Sequence, residues 1–117
     1  MAGFTAYGYL KLRQAFQAAV THIEIRNAGG TAIAARIPIT DPRVTVYDDA
    51  TTSPLGYQVV LTASDADMGV GKVVAQWGMF DAATGGTELV GDTFATPVTF
   101  NNTADKATLK LNITTAL

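Results

Sequence analysis

From His22 onward, apolar residues recur at every second position in short runs separated by glycine, proline, asparagine or aspartate. Such spacing puts alternate side chains on opposite faces of an extended backbone, so it admits strands with one buried face. Ile23 and Ile25 alternate with His22, Glu24 and Arg26, and after "NAGG" the pattern resumes at Ile33, Ala35, Ile37 and Ile39. Asn27, Gly29 and Gly30 can supply the positive φ that a tight hairpin loop needs. "TDPR" at 40–43 ends the run, because Pro42 has no N–H to offer a central ladder. "VTV" at 44–46 is a short strand, and the loop "YDDATTSP" follows. "YQVVLTA" places Tyr57, Val59, Leu61 and Ala63 on one face. After the turn "SDADMG", "VGKVVAQWGMF" places Val73, Ala75, Trp77 and Met79 on one side. "DAATGG" is another glycine turn, then come "TELVGDTFATPVTF" and "ATLKLNI", the last with Leu109, Leu111 and Ile113 inward.

Seven or eight short strands at regular spacing predict a mainly β protein, an antiparallel β-sandwich or small jelly roll. No strand–helix–strand alternation is present, which argues against a parallel sheet. The nominal outer faces carry Ala32, Ala34, Val60, Val74 and Phe80, where a solvated face would carry polar groups. Either the register shifts at places or part of that surface is covered, by the chain itself or by another copy.

One short N-terminal helix is expected over 5–20, "TAYGYLKLRQAFQAAV". Tyr9, Leu12, Phe16 and Val20 fall on one face, and Thr5 can act as N-cap. Lys11 and Arg13 give this segment +2 with no carboxylate, leaving −4 for the remainder of a chain whose total is −2. Residues 1–20 are therefore read as a helical arm and 21–117 as a single β domain. The arm can pack across one end of its own sheet, or it can dock on an acidic partner. In the second case Tyr9, Lys11, Leu12, Arg13 and Phe16 are the candidate partner contacts.

With 117 residues there is one domain, burying about two-thirds of its unfolded surface. Charged residues are 15% of the chain against a usual ~25%, and interface cores are depleted in charge. A negative net charge leaves no basic field for nucleic acid. The chain has no cysteine, so disulfide and thiolate chemistry are excluded. Lys11 and Arg13 interrupt any apolar segment of a signal peptide, and no run suits a membrane helix.

Candidate sites for chemistry are sparse, and no cofactor is expected. His22 is the only histidine, so a triad or a histidine metal cluster has no second member. Asp65 and Asp67 in "DADMG" have a calcium-loop spacing, but Gln76 stands where an EF-hand needs glutamate. Asp48 and Asp49 are adjacent loop carboxylates without a partner pair for glycoside chemistry. "GVG" at 69–71 lacks the strand-then-helix setting of a phosphate loop. "NNT" at 101–103 and "NIT" at 112–114 match the glycosylation sequon, incidental in a chain with no signal segment. Of the aromatic residues that could stack on a sugar, Trp77 belongs to an inward series and Tyr47 is the better exposed. No enzyme is expected, since nucleophile, base and orienting group never come together.

The stretch "VTHIEIRNAGGTAIAARIPITDPRV", preceded by "LRQAF" and followed later by "ATGGTEL", resembles small structural proteins of tailed bacteriophages. In those proteins a short helical segment leads into a hairpin of the form "IEIRNASGT…IPITDPRV", and the likeness spans most of residues 10–100. It implies a non-enzymatic virion protein made in the host cytoplasm, of the capsid decoration or cement type. Implied partners are the major capsid protein or other virion proteins, with the chain itself a homo-oligomer and neither nucleic acid nor membrane involved. A tail, baseplate or fibre component is the near alternative, and a small carbohydrate-binding or adhesion module the more distant one. The shared motif holds no catalytic residue.

Overall fold

In the computed structural model, residues 2–48 and 55–113 are described. They form one helix, α1 (Ala6–Ala19), and seven strands. The strands are β1 (His22–Arg26), β2 (Ile37–Pro38), β3 (Val44–Asp48), β4 (Leu55–Thr62), β5 (Val73–Phe80), β6 (Val90–Thr99) and β7 (Lys106–Ile113). They make two antiparallel sheets, ordered β2-β1-β5-β6 and β3-β4-β7. Ile23, Ile25, Trp77 and Met79 of the first sheet share one buried cluster with Val44, Leu55, Tyr57, Val59, Leu61, Leu109, Leu111 and Ile113 of the second. The two sheets therefore face each other as a sandwich, with the alternating residues of each inside.

Period two translates most directly in β4 and β7. Leu55, Tyr57, Val59 and Leu61 are all buried, and β7 alternates exposed and buried along its whole length. In β5 the alternation breaks. Two steps from Val74 to Gln76 stand against five from Val98 to Thr93 on β6, so β6 bulges away there. As a result Val74 joins Trp77 and Met79 in the core instead of facing outward.

The hairpin is shorter than its sequence suggests. Arg26 and Ala32 form a single bridge, and regular pairing resumes only at Ile37 and Pro38. Ile33 and Ala34 both pack on the core, which consecutive residues of a strand cannot do. Of the three turn residues only Gly30 has positive φ, at +83°. Asn27 contributes through its side chain, whose Oδ1 accepts from the N–H groups of Gly29 and Thr31. "TDPR" and "SDADMG" are crossings between the sheets, not turns within one.

α1 begins at Thr5, whose Oγ1 accepts from Gly8 N–H at 3.1 Å. It ends where Val20 turns extended while its N–H still donates to the Phe16 carbonyl. Val20 is fully buried and Phe16 packs against the core, whereas Ala2 to Tyr7 are exposed. A 14-residue helix is about 21 Å long. Seated at one end only, it accounts for an elongated molecule of 52 × 26 × 25 Å.

Candidate partner-contact surface

The helix face turned to the body is centred one residue away from the apolar spacing in the sequence. Tyr9 and Phe16 are half-buried and Val20 is buried as anticipated, but Arg13 fills the fourth place at 6% exposure and Leu12 is 41% exposed. An arginine can occupy such a place because its aliphatic stem covers apolar surface while its head is engaged elsewhere, and Arg13 does have an interaction partner. The candidate contacts thus divide. Arg13 and Phe16 belong to the seat of the helix, while Lys11 and Leu12 face solvent together with Phe4 and Tyr7, which are 61% and 65% exposed. The Phe4 and Tyr9 rings meet at 5.4 Å between centroids, and the Lys11 ammonium lies 5.0 Å from the Tyr7 ring centre. The outcome is an apolar surface carrying a single positive charge and no carboxylate.

The apolar outer face of the first sheet is covered from within. Phe80 lies under two guanidinium groups, with Arg36 at 3.4 Å and Arg26 at 5.7 Å from its ring centre. Glu24 bridges both arginines, at 2.7 Å from Arg26 and 3.1 Å from Arg36. Burial pushes the Glu24 carboxyl up, but the hydrogen bonds from Arg26 and Arg36 outweigh it and hold the group below its usual range. Arg36 Nη1 also donates to the carbonyls of Ala82 and Gly85. Arg26 reaches across β5 to Glu88 at 2.6 Å.

That last ion pair lies over Gly78 and Gly91, which oppose each other between β5 and β6. A methyl group on Gly78 would run into the Arg26 guanidinium and the Glu88 carboxylate, and one on Gly91 would lie 2.8 Å from the Trp77 carbonyl. Two glycines inside predicted strands were the available signal for this slot, because strand glycines mark close approach of another group.

A further arginine, Arg43, gathers three carboxylates. Its Nε and Nη2 hold Asp41, its Nη1 and Nη2 hold Asp67, and Nη1 also reaches Asp65 at 3.2 Å. All five N–H donors of the guanidinium are used. Hydrogen bonds from Arg43 hold Asp41 and Asp67 below the usual carboxylate range. The calcium spacing of Asp65 and Asp67 is therefore the spacing of an arginine clamp. Among the described residues no group of three or more His, Asp or Glu is arranged to hold a metal ion.

The remaining candidates are scattered. His22 Nδ1 shares a 2.9 Å hydrogen bond with Thr21 Oγ1. Trp77 is a core residue at 3% exposure, which takes it out of a sugar platform, while Tyr47 is 52% exposed with the Lys110 ammonium 4.1 Å from its ring centre. Gly71 has φ +94° and its N–H donates to the Phe100 carbonyl, so "GVG" is a turn between strands. Asn101 and Asn112 are exposed, whereas the side chain of Asp48 and the residues Asp49 and Thr114 lie outside the described set. No helix among the described residues is long and apolar enough to cross a membrane. Compared with known protein families, curated proteins and solved structures, the chain matches none.

Proposed function

We propose that this protein is a non-enzymatic structural component of a tailed-phage virion, a capsid decoration protein that binds between shell subunits through its N-terminal arm. The observation that carries the reading is the outward surface of the arm, where Tyr7 and Leu12 of α1 and Phe4 just before it are exposed around Lys11, on a helix anchored by its far end. Three large, mainly apolar side chains held out in water around one ammonium group suit a groove lined by apolar and acidic groups. The likeness of residues 10–100 to phage structural proteins supplies the kind of partner.

The test is co-sedimentation of the full chain with empty capsid shells. Because Val20 and Arg13 are buried in the chain's own body, removing residues 1–20 would confound binding with folding. Substitutions at exposed positions avoid this. Saturable binding that Tyr7→Ala and Lys11→Glu each weaken at least tenfold is the expected result. A folded protein that ignores shells would exclude decoration and leave the tail or fibre location to be tested with tail assemblies.

A further inference from the structure

We propose that the free edge of β7 pairs with the same edge of a second copy, antiparallel across a two-fold axis, with Leu109 opposite its symmetry mate.

Among the described residues the sandwich has four sheet edges, formed by β2 and β6 in one sheet and by β3 and β7 in the other. Proteins blunt exposed edges by shortness, proline, bulges or charge. β2 has two residues, one of them Pro38. β3 shifts register between Val46 and Asp48, and β6 carries Pro97 within its bulged stretch. β7 has none of the first three. Eight consecutive residues keep unbroken register with β4, without proline, glycine or bulge.

Charge is the remaining guard. Lys106 and Lys110 both face outward on β7, and Lys110 stacks on Tyr47 of β3 across β4. A partner strand must therefore be placed so that the two lysines do not meet.

The side chains select both the partner and the register. Lys106, Thr108, Lys110 and Asn112 face outward, while Ala107, Leu109 and Leu111 face the core, so pairing must set like faces together. Centring on Thr108 would oppose Lys106 to Lys110, and centring on Lys110 would oppose it to itself. Like charges directly opposite are destabilising. Centring on Leu109 opposes Lys110 to Thr108, Lys106 to Asn112 and Ala107 to Leu111. The three-stranded sheets of two copies then run on as one, and the contact closes on itself with no β7 edge left over.

Sedimentation equilibrium of the full chain tests this through Thr108, an exposed position whose substitution leaves the core intact. Thr108→Lys places a lysine against Lys110 twice per dimer and is expected to raise the dissociation constant about tenfold. Thr108→Glu places a carboxylate there and is expected to lower it by a similar factor, with both changes shrinking at high salt. A chain that stays monomeric at all concentrations would overturn the proposal. So would a dimer whose dissociation constant is indifferent to both substitutions, or moves the same way in both. The inference stands on the sheet edge and not on the arm, so a dimer that ignores capsid shells leaves it intact and removes only the decoration reading.

Discussion

Gly78 shows how much one absent methyl group decides. Replacing a strand glycine with alanine ordinarily stabilises by about 0.4–1 kcal/mol, because the unfolded chain loses freedom. Here the new methyl must displace the Arg26–Glu88 pair, and overpacking costs about 1–3 kcal/mol, so the net effect of Gly78→Ala is destabilising. Gly91→Ala should cost more, since the obstructing atom is the Trp77 backbone carbonyl, which cannot swing aside. Urea midpoints of the two variants check both the sign and the order. Arg43 is the second such residue. Asp41, Asp67 and Glu24 all have folded values below their ordinary 3.8, 3.8 and 4.5. Their contribution to stability is complete above those ordinary values and is lost as pH falls through the depressed ones. Stability should thus hold from pH 7 to about pH 5 and decline in more acid solution. In Arg43→Met Asp41 and Asp67 lose their depression, so the acid decline becomes shallower while stability at pH 7 falls by about 1–2 kcal/mol, the clamp being partly open to water. Denaturant titrations at several pH values read both effects.

At the level of elements, legibility followed the simplicity of the backbone. β4 and β7 could be read residue by residue, because an uninterrupted ladder preserves period two along its length. The second half of the hairpin could not. Ile33, Ala35, Ile37 and Ile39 have strand spacing, yet Arg36 is drawn to Glu24 and to the 82–85 loop, and the chain bends to follow it. The face of α1 was displaced by one residue because hydropathy ranks Leu12 above Arg13, while the seat beside Phe16 takes the arginine. Phe80, an apolar residue on an outer face, was a clue to the arginines above it, which lie far away in sequence. α1 also yields a prediction of its own. Thr5→Ala removes the cap bond to Gly8 and should destabilise the start of the helix by about 1 kcal/mol. As only the far end of α1 enters the core, hydrogen exchange should quicken at Gly8 and Tyr9 while the urea midpoint of the sandwich is unchanged.

For the whole molecule, alternation was enough to announce a sandwich, but not which strands share a sheet. The crossings at 40–43 and 63–72 look like hairpin turns in sequence, because proline, aspartate and glycine serve both purposes. Shape was equally hidden, since nothing in the helical spacing tells how much of α1 finds a seat. The radius of gyration is 15.0 Å, against about 13 Å for a compact chain of this length. Small-angle scattering at high dilution should return the larger value, and a rise with concentration should accompany pairing through β7.

The chain has one tryptophan, and it lies in the middle of β5 between Ile25 of β1 and Asp92 of β6. At 3% exposure its indole is dry, so folded protein should emit at the blue end of the tryptophan range. The arm and the outer face of β7 lie outside that environment and contain no tryptophan. A substitution at Tyr7, Lys11 or Thr108 that abolishes association while the emission stays blue has removed a contact. One that shifts the emission to the red has opened the barrel of side chains around Trp77, and its loss of binding says nothing about the surface. A single optical reading of each variant thus separates recognition from folding.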